Sequence, residues 1–368
     1  MVNRERLLAE FLRLVQIDSP SYQERELADR IRNLLAEIGL TVFEDQTASK
    51  INGQAGNLYA RWPGTVAGPA ILFCVHLDTV EPGRRIKPVI RGGAVYSDGR
   101  TILGADDKAG IAAVIEALRV VRERNLATPP VELIFTVAEE QGLVGAKHLD
   151  PELINASCGF VLDSDGPPGK IIVRAPSQDR IVVTVRGRAA HAGINPEEGI
   201  NAIQAAARGI ARLRLGRIDE ETTANIGVIQ GGLATNIVPE KVTVYGETRS
   251  LDDRKRAAVT QEIIRLFNEE VENAGGQVEC EVEDLYPSFR LEPDHRVVQM
   301  AMRAAFRVGL APRLAHSGGG SDANILNALG VPTANLSCGM QKVHSTGEFI
   351  LIEDLVKSTE LVLEIMKA

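Results

Sequence analysis

The sequence predicts an α/β protein, a sheet with helices on its faces, interrupted by a second and smaller α+β domain. Three observations predict it. Short β-rich apolar runs alternate with helical stretches up to about Ala175, the texture then changes, and from about Glu292 the alternation resumes and ends on a helix. The 368 residues exceed what one core usually serves, and a 44% hydrophobic content is enough for two. There are no internal repeats and no low-complexity linkers, so an insertion with two short crossings fits better than a tethered tail. Residues 1–176 and 288–368 are assigned to one domain and 177–287 to the insertion.

Leu7, Phe11, Leu14 and Val15 recur at helical spacing. Ser21 and Glu24 read as a capping box ahead of a second helix bearing Leu27, Ile31, Leu34 and Ile38, which Gly39 stops. Strands are predicted over Asn57 to Trp62, Ala70 to Val75, Val131 to Val137 and Cys158 to Leu162, with a helix over Ala109 to Arg122. In the insertion, Arg180 to Val185 and Val242 to Glu247 read as strands, and Asn201 to Leu213 and Arg256 to Ala274 as helices. A helix over Ile352 to Met366 closes the chain.

The 41 basic against 49 acidic residues leave a net charge of -8, which argues against nucleic acid or an anionic membrane as partner. The first residues, MVNRERLLAEFLRLVQID, intersperse charges among apolar groups and lack the pattern of a signal peptide, and no apolar run approaches a bilayer span. Cys74, Cys158, Cys280 and Cys338 lie far apart without CxxC spacing and read as reduced thiols, so a cytoplasmic protein is expected.

In open α/β sheets ligands bind beyond the carboxyl ends of the strands. Four such places here bear carboxylate or imidazole groups. VHLDTV supplies His76 and Asp78, a carboxylate placed to fix an imidazole's tautomer. LGADDKAG sets Asp106 and Asp107 side by side, an arrangement a dication would hold ionised. The strand VELIFTV leads into Glu139 and Glu140, and the strand CGFVL into Asp163, with Asp165 two residues on. His344 in VHSTGEFI is distant in sequence but belongs to the half that resumes the α/β pattern. Imidazoles and hard oxygens without thiolates suit zinc, cobalt or manganese, and a pair of ions sharing one carboxylate is the economical arrangement.

With these motifs in this order, the sequence resembles, over its whole length, the dizinc exopeptidase family of tripeptidase T, carboxypeptidase G, acetylornithine deacetylase and aminoacylase, and is most similar to its peptidase T-like members. The resemblance implies a three-layer zinc-exopeptidase catalytic domain with an inserted α+β lid and dimerisation domain. It implies that His76 and Asp163 hold one metal, His344 and Glu140 the other, and Asp106 both, with Asp78 orienting His76, Glu139 as general base, and a cis peptide after Asp106. It further implies that His191 in HAGINPEEGINAI stabilises the oxyanion, often from the partner subunit of a homodimer, and that Asn236, Arg249, Ser321 and Asp322 face the substrate. The HAGINPEEGINAI form is nearer to the carboxypeptidase and deacylase branches, whereas GADDKAG and HSTGEF are nearer to peptidase T. The implied reaction is therefore hydrolysis of a short peptide or peptide-like amide, with N-acyl amino acid deacylation as the alternative and a catalytically silent binding protein as the remote one.

Plainer readings compete at several positions. His148, His295 and His316 are read as ordinary histidines, and Glu197 and Glu198 as a solvated pair. Asp163 directly ends its strand and is preferred to Asp165, which stands in reserve. SGGGSDAN would be a flexible turn on composition alone, and Arg249 could simply pair with a carboxylate of its own domain.

Overall fold

Four apolar segments lie side by side and parallel, in the order Val131–Thr136, Ile71–His76, Cys158–Ser164 and Thr333–Ser337. Their residues are almost wholly buried, which is why they read as continuous Val, Ile, Leu and Phe runs and not as alternations. Antiparallel strands extend this sheet on both sides, Leu58–Trp62 and Val42–Glu44 beyond Val131–Thr136, and Lys170–Ala175 beyond Thr333–Ser337. This is a computed structural model, and it describes residues 1–367. The chain forms two units, one of Met1–Arg174, Arg290–Ser317 and the chain from Ser321 onward, the other of Ala175–Phe289 with Gly318–Gly320.

Within the first unit the helix Ala105–Glu123 packs on the central strands and against Arg4–Val15 and Ile352–Met366. It is buried on every side over most of its length, as its Ala and Ile content requires. Its regular turns begin only past Asp107, because Asp106 and Asp107 depart from helical φ and ψ and the peptide between them is cis. A small second sheet of Val89–Arg91, Ala94–Tyr96, Phe349–Leu351 and Met340–Gln341 holds the loop 342–348 between its last two strands. That loop bears His344.

The second unit is an antiparallel sheet in the order Gly216–Arg217, Thr222–Gly231, Lys241–Ser250, Ser177–Arg186, Gln277–Tyr286, packed against Ala202–Arg212 and Asp253–Asn273. Apart from the two-residue strand Gly216–Arg217, its order of elements is βαββαβ, the split β-α-β arrangement. The core is Ile181, Val183, Val185, Val242 and Val244 from the sheet with Ala205, Ala206, Ile263, Phe267 and Val271 from the helices. The helices approach closely because Gly209 faces Phe267; a Cβ there would lie 2.9 Å from its ring.

The sequence located the long helices other than Arg296–Arg307, and three of the four parallel strands, within a few residues, but it did not place Thr333–Ser337, the flanking strands Val42–Glu44 and Lys170–Ala175, or the small second sheet. In the insertion the sequence pattern gives two strands and two helices, and the structure adds Thr222–Gly231, Gln277–Tyr286 and the short Gly216–Arg217. Ser21 and Glu24 do not form a capping box: the helix Arg25–Glu37 has no side-chain cap, and both side chains are bonded elsewhere.

Gly110, in the first turns of the helix Ala105–Glu123, admits no side chain. A Cβ would lie 2.4 Å from Asp107 Oδ1 and 2.9 Å from the Leu162 carbonyl oxygen. Alanine's better helix propensity is worth about 1 kcal/mol, less than the overpacking it would cause. Gly110→Ala is expected to lower unfolding free energy by about 1–3 kcal/mol in urea titrations; an unchanged or raised midpoint would show that Asp107 moves aside freely.

Candidate metal centre

The carboxyl ends of the parallel strands gather one cluster of acids and imidazoles. His76 ends its own strand; Glu139 and Glu140 follow Thr136 by a short turn; Asp163 sits near the end of Cys158–Ser164. Asp106 enters from the helix side and His344 from the loop of the small sheet. His76 Nε2 lies 2.9 Å from Asp106 Oδ1 and 3.9 Å from Asp163 Oδ1. His344 Nε2 lies 2.9 Å from Glu140 Oε1 and 3.4 Å from Asp106 Oδ2. Glu139 joins through a set with His76 and Asp163, whose donor atoms lie within 4.8 Å of one another, as do those of His76, Asp106 and Glu140.

The electrostatics of these groups are unusual for a protein interior. Burial pushes the Asp163 and Glu139 carboxyls well above the usual carboxylate range, and neighbouring charges, Asp106 on Asp163 and Asp163 on Glu139, push further. Glu140 is raised for the same first reason, with the His344 hydrogen bond opposing. Burial works on Asp106 too, but hydrogen bonds from His344 and His76 hold its carboxyl below the usual range. Those same bonds, to Asp106 and Glu140, carry His344 up to about 10. Among the described residues no lysine or arginine is paired with Asp106, Glu139, Glu140 or Asp163. A donor set of buried carboxylates and imidazoles, lacking fixed cations, fits a divalent ion, the simplest agent that would ionise them together.

Neutral donors hold the acids in place. Asp78 is fully buried; its Oδ1 accepts the Glu139 amide at 2.9 Å and its Oδ2 the Glu140 amide at 3.1 Å and the Ser21 hydroxyl at 2.7 Å. It touches the His76 ring chiefly by its carbonyl oxygen, 3.0 Å from Nδ1, with the carboxylate at 3.5 Å. Asn335 clamps the Asp163 backbone, its Oδ1 accepting from the amide and its Nδ2 donating to the carbonyl. Asp107 turns away from the cluster, accepting from the amides of His76 and Gly110. Glu348 accepts the amides of Leu103, Gly104 and Asp106 at 2.7, 2.8 and 3.1 Å. The sequence reading missed Glu348, Asn335 and the partners of Ser21 and Glu24; only Glu348 had a signal, its place in the HSTGEF motif.

Asp165, Ser321 and Asp322, predicted residues of the first unit, are not among the clustered donors. Asp165 is 61% exposed and pairs with Lys170. Ser321 is buried and caps the helix Asp322–Ala328 in a capping box with Asn324. Asp322 is buried, its Oδ2 accepting from the Thr136 hydroxyl and the Cys74 thiol. Its Oδ1 is buried without a hydrogen-bond partner among the described residues. In the second unit Arg249 forms a two-pronged pair with Glu247, at 2.9 and 3.0 Å. Asn236 and His191 are exposed on neighbouring loops, joined where the Asn236 carbonyl accepts the Ala192 amide at 3.0 Å.

Residues 72–368 match the model of peptidase family M20/M25/M40, and the chain belongs to that family. It is 46% identical over its whole length, and 99% of the relative's, to the uncharacterized protein YqjE of Bacillus subtilis strain 168. Two crystal structures are similar throughout. Aminopeptidase PepT of Bacillus cereus is 46% identical with a TM-score of 0.91, and a tripeptidase of Staphylococcus aureus is 40% identical with a TM-score of 0.96; each comparison covers 100% of this chain and 98% of the other.

Truncating Glu348 would leave three buried amides unpaired, each costing about 1–3 kcal/mol. Glu348→Ala is therefore expected to lose about 3 kcal/mol or more in chemical denaturation, and Glu348→Gln much less. A loss for Glu348→Ala below about 1 kcal/mol would mean that water or another group takes over these amides.

Proposed function

We propose that this chain is a two-metal exopeptidase acting on short peptides. The observation that carries the reading is the bidirectional use of Asp106, with Oδ1 toward His76 and Oδ2 toward His344. Each imidazole has a further carboxylate, Asp163 beside His76 and Glu140 beside His344. That is the ligand order expected of two ions sharing one bridging carboxylate. The two similar crystal structures, an aminopeptidase and a tripeptidase, support short peptides as substrates.

Two divalent ions, zinc by preference with cobalt or manganese as alternatives, would polarise the scissile carbonyl and acidify the attacking water. The chain's own residues do the rest. Glu139 is buried and has no ion pair with either imidazole among the described residues, so its carboxylate is left to take the water's proton and pass it to the leaving amine. A carboxyl whose proton affinity is raised by burial suits both halves of that transfer. Asp78 fixes the His76 ring and the amides of the Glu139–Glu140 turn. His191, an exposed imidazole, would donate to the oxyanion.

The four unpaired thiols are in keeping with work in the cytoplasm, and among the described residues no helix is long and apolar enough to cross a membrane. We assign homodimer contacts to the second unit, where Thr222–Gly231 is an edge strand covered only at Gly216–Arg217 and exposes Val228 and Ile229. The double variant Val228→Lys, Ile229→Lys should sediment as a monomer of 39.7 kDa while the parent sediments at twice that mass; a monomeric parent would remove the dimer.

A panel of di- and tripeptides beside N-acetyl and N-succinyl amino acids, run after metal reconstitution, separates the peptidase from the deacylase that the HAGINPEEGINAI segment favours. Peptide turnover is expected, and turnover of acylated amino acids alone would overturn it. On the best substrate Glu139→Gln should retain two metals by elemental analysis and lose kcat by about 100- to 10,000-fold; undiminished kcat would take Glu139 out of the mechanism.

A further inference from the structure

The segment Ser19–Glu24 is wired into the turn that delivers Glu139 and Glu140. It runs beside the residues following His76: Pro20 bridges to Thr79, and the Thr79 amide donates to the Ser19 carbonyl at 2.9 Å. At its end Glu24 is completely buried, and its Oε1 accepts from the amides of Tyr22 at 2.7 Å and Ala138 at 3.1 Å. Ala138 has φ 49 and ψ 40, the left-handed region, and Glu139–Gln141 follow as a 3₁₀ turn. A left-handed residue followed by a right-handed one points successive amides into a common hollow that favours anions. The hollow here is filled by two buried carboxylates, Glu24 on the Ala138 amide and Asp78 on those of Glu139 and Glu140. Placing alanine in the left-handed region costs about 1–2 kcal/mol, so the conformation needs such partners.

We propose that Glu24 is a positioning residue, whose Oε1 locks the left-handed turn at Ala138 and thereby aims Glu139 and Glu140 into the metal cluster. The proposal rests on the reading of Glu139 as base and Glu140 as ligand given above. What the turn requires of Glu24 is an acceptor oxygen and not a charge. Burial and the nearby Asp78 push its carboxyl up to about 7, and its Oε2 is buried without a partner among the described residues. A glutamine at position 24 keeps the acceptor, whereas an alanine removes it.

The test compares Glu24→Ala and Glu24→Gln in the full-length, metal-loaded protein by steady-state kinetics and by hydrogen exchange of peptides spanning residues 137–142. Glu24→Ala is expected to speed exchange in that segment alone and to lower kcat about 10- to 100-fold with KM changed by less than about 3-fold. Glu24→Gln is expected to restore both readouts to within about 3-fold of the parent. Parental exchange and kcat in Glu24→Ala would overturn the proposal, as would a Glu24→Gln variant as impaired as Glu24→Ala. Should Glu24→Ala not fold, Glu24→Asp, whose oxygen is drawn back by one methylene, takes its place with the same expected loss. Exchange reads the turn without reference to turnover. Faster exchange in Glu24→Ala beside a fully active Glu139→Gln would therefore leave the lock standing and remove only the role given to Glu139.

Discussion

The structure is organised around the cost of holding like charges together out of water. Asp106, Glu139, Glu140 and Asp163 are drawn to one place by the ends of adjacent parallel strands and the helix behind them. A buried carboxylate without a partner is among the most expensive features a fold can carry. Parallel topology makes the convergence possible, since neighbouring parallel strands all end at the same edge of the sheet.

Two kinds of partner make the arrangement tolerable. Imidazoles lie directly against the acids, and backbone amides hold the carboxylates one step behind. Asp78, Glu24, Glu348 and Asp107 together accept from the amides of residues 76, 103, 104, 106, 110 and 138–140, among others. Each of these loops would otherwise bury unsatisfied N–H groups where the chain leaves regular structure. The loops are thus shaped by buried carboxylates that do not belong to the cluster.

This division explains what was legible in the sequence. His76, Glu139, Glu140 and Asp163 could be found because each follows or ends a recognisable apolar run, Asp106 because it stands beside a second carboxylate in GADDKAG, and His344 because it sits in a motif. Residues of the supporting set leave no such trace. Ser21 and Glu24 have the spacing of a capping box, and local pattern cannot reveal that their partners are Asp78 and Ala138, more than fifty residues away. Composition alone made SGGGSDAN a flexible turn, and it could not show that Ser321 caps the helix Asp322–Ala328 or that Asp322 accepts from the Thr136 hydroxyl. Of the unread strands, Gln277–Tyr286 alternates Val278, Cys280 and Val282 with Glu279, Glu281 and Glu283, a half-exposed strand obscured by its acidity. Thr222–Gly231 is weaker, with Gly227 interrupting an edge strand that has little to bury.

The choice of amides over lysines and arginines as supporting donors has a consequence for chemistry. A guanidinium beside Asp106 or Asp163 would stabilise the ionised acid, but it would also cancel the charge on which cation binding depends and would compete for the same oxygens. Amides orient a carboxylate without adding a formal charge. Lys108, the buried cation of the GADDKAG segment, conforms to this rule: its ammonium donates to the Ile17 carbonyl at 2.7 Å and forms no ion pair with the cluster acids. Burial lowers it to about 8, so even this nearby positive charge is held weakly. The fold thus preserves a concentrated negative site within an ordered scaffold, and the free energy of that concentration is returned when divalent ions bind.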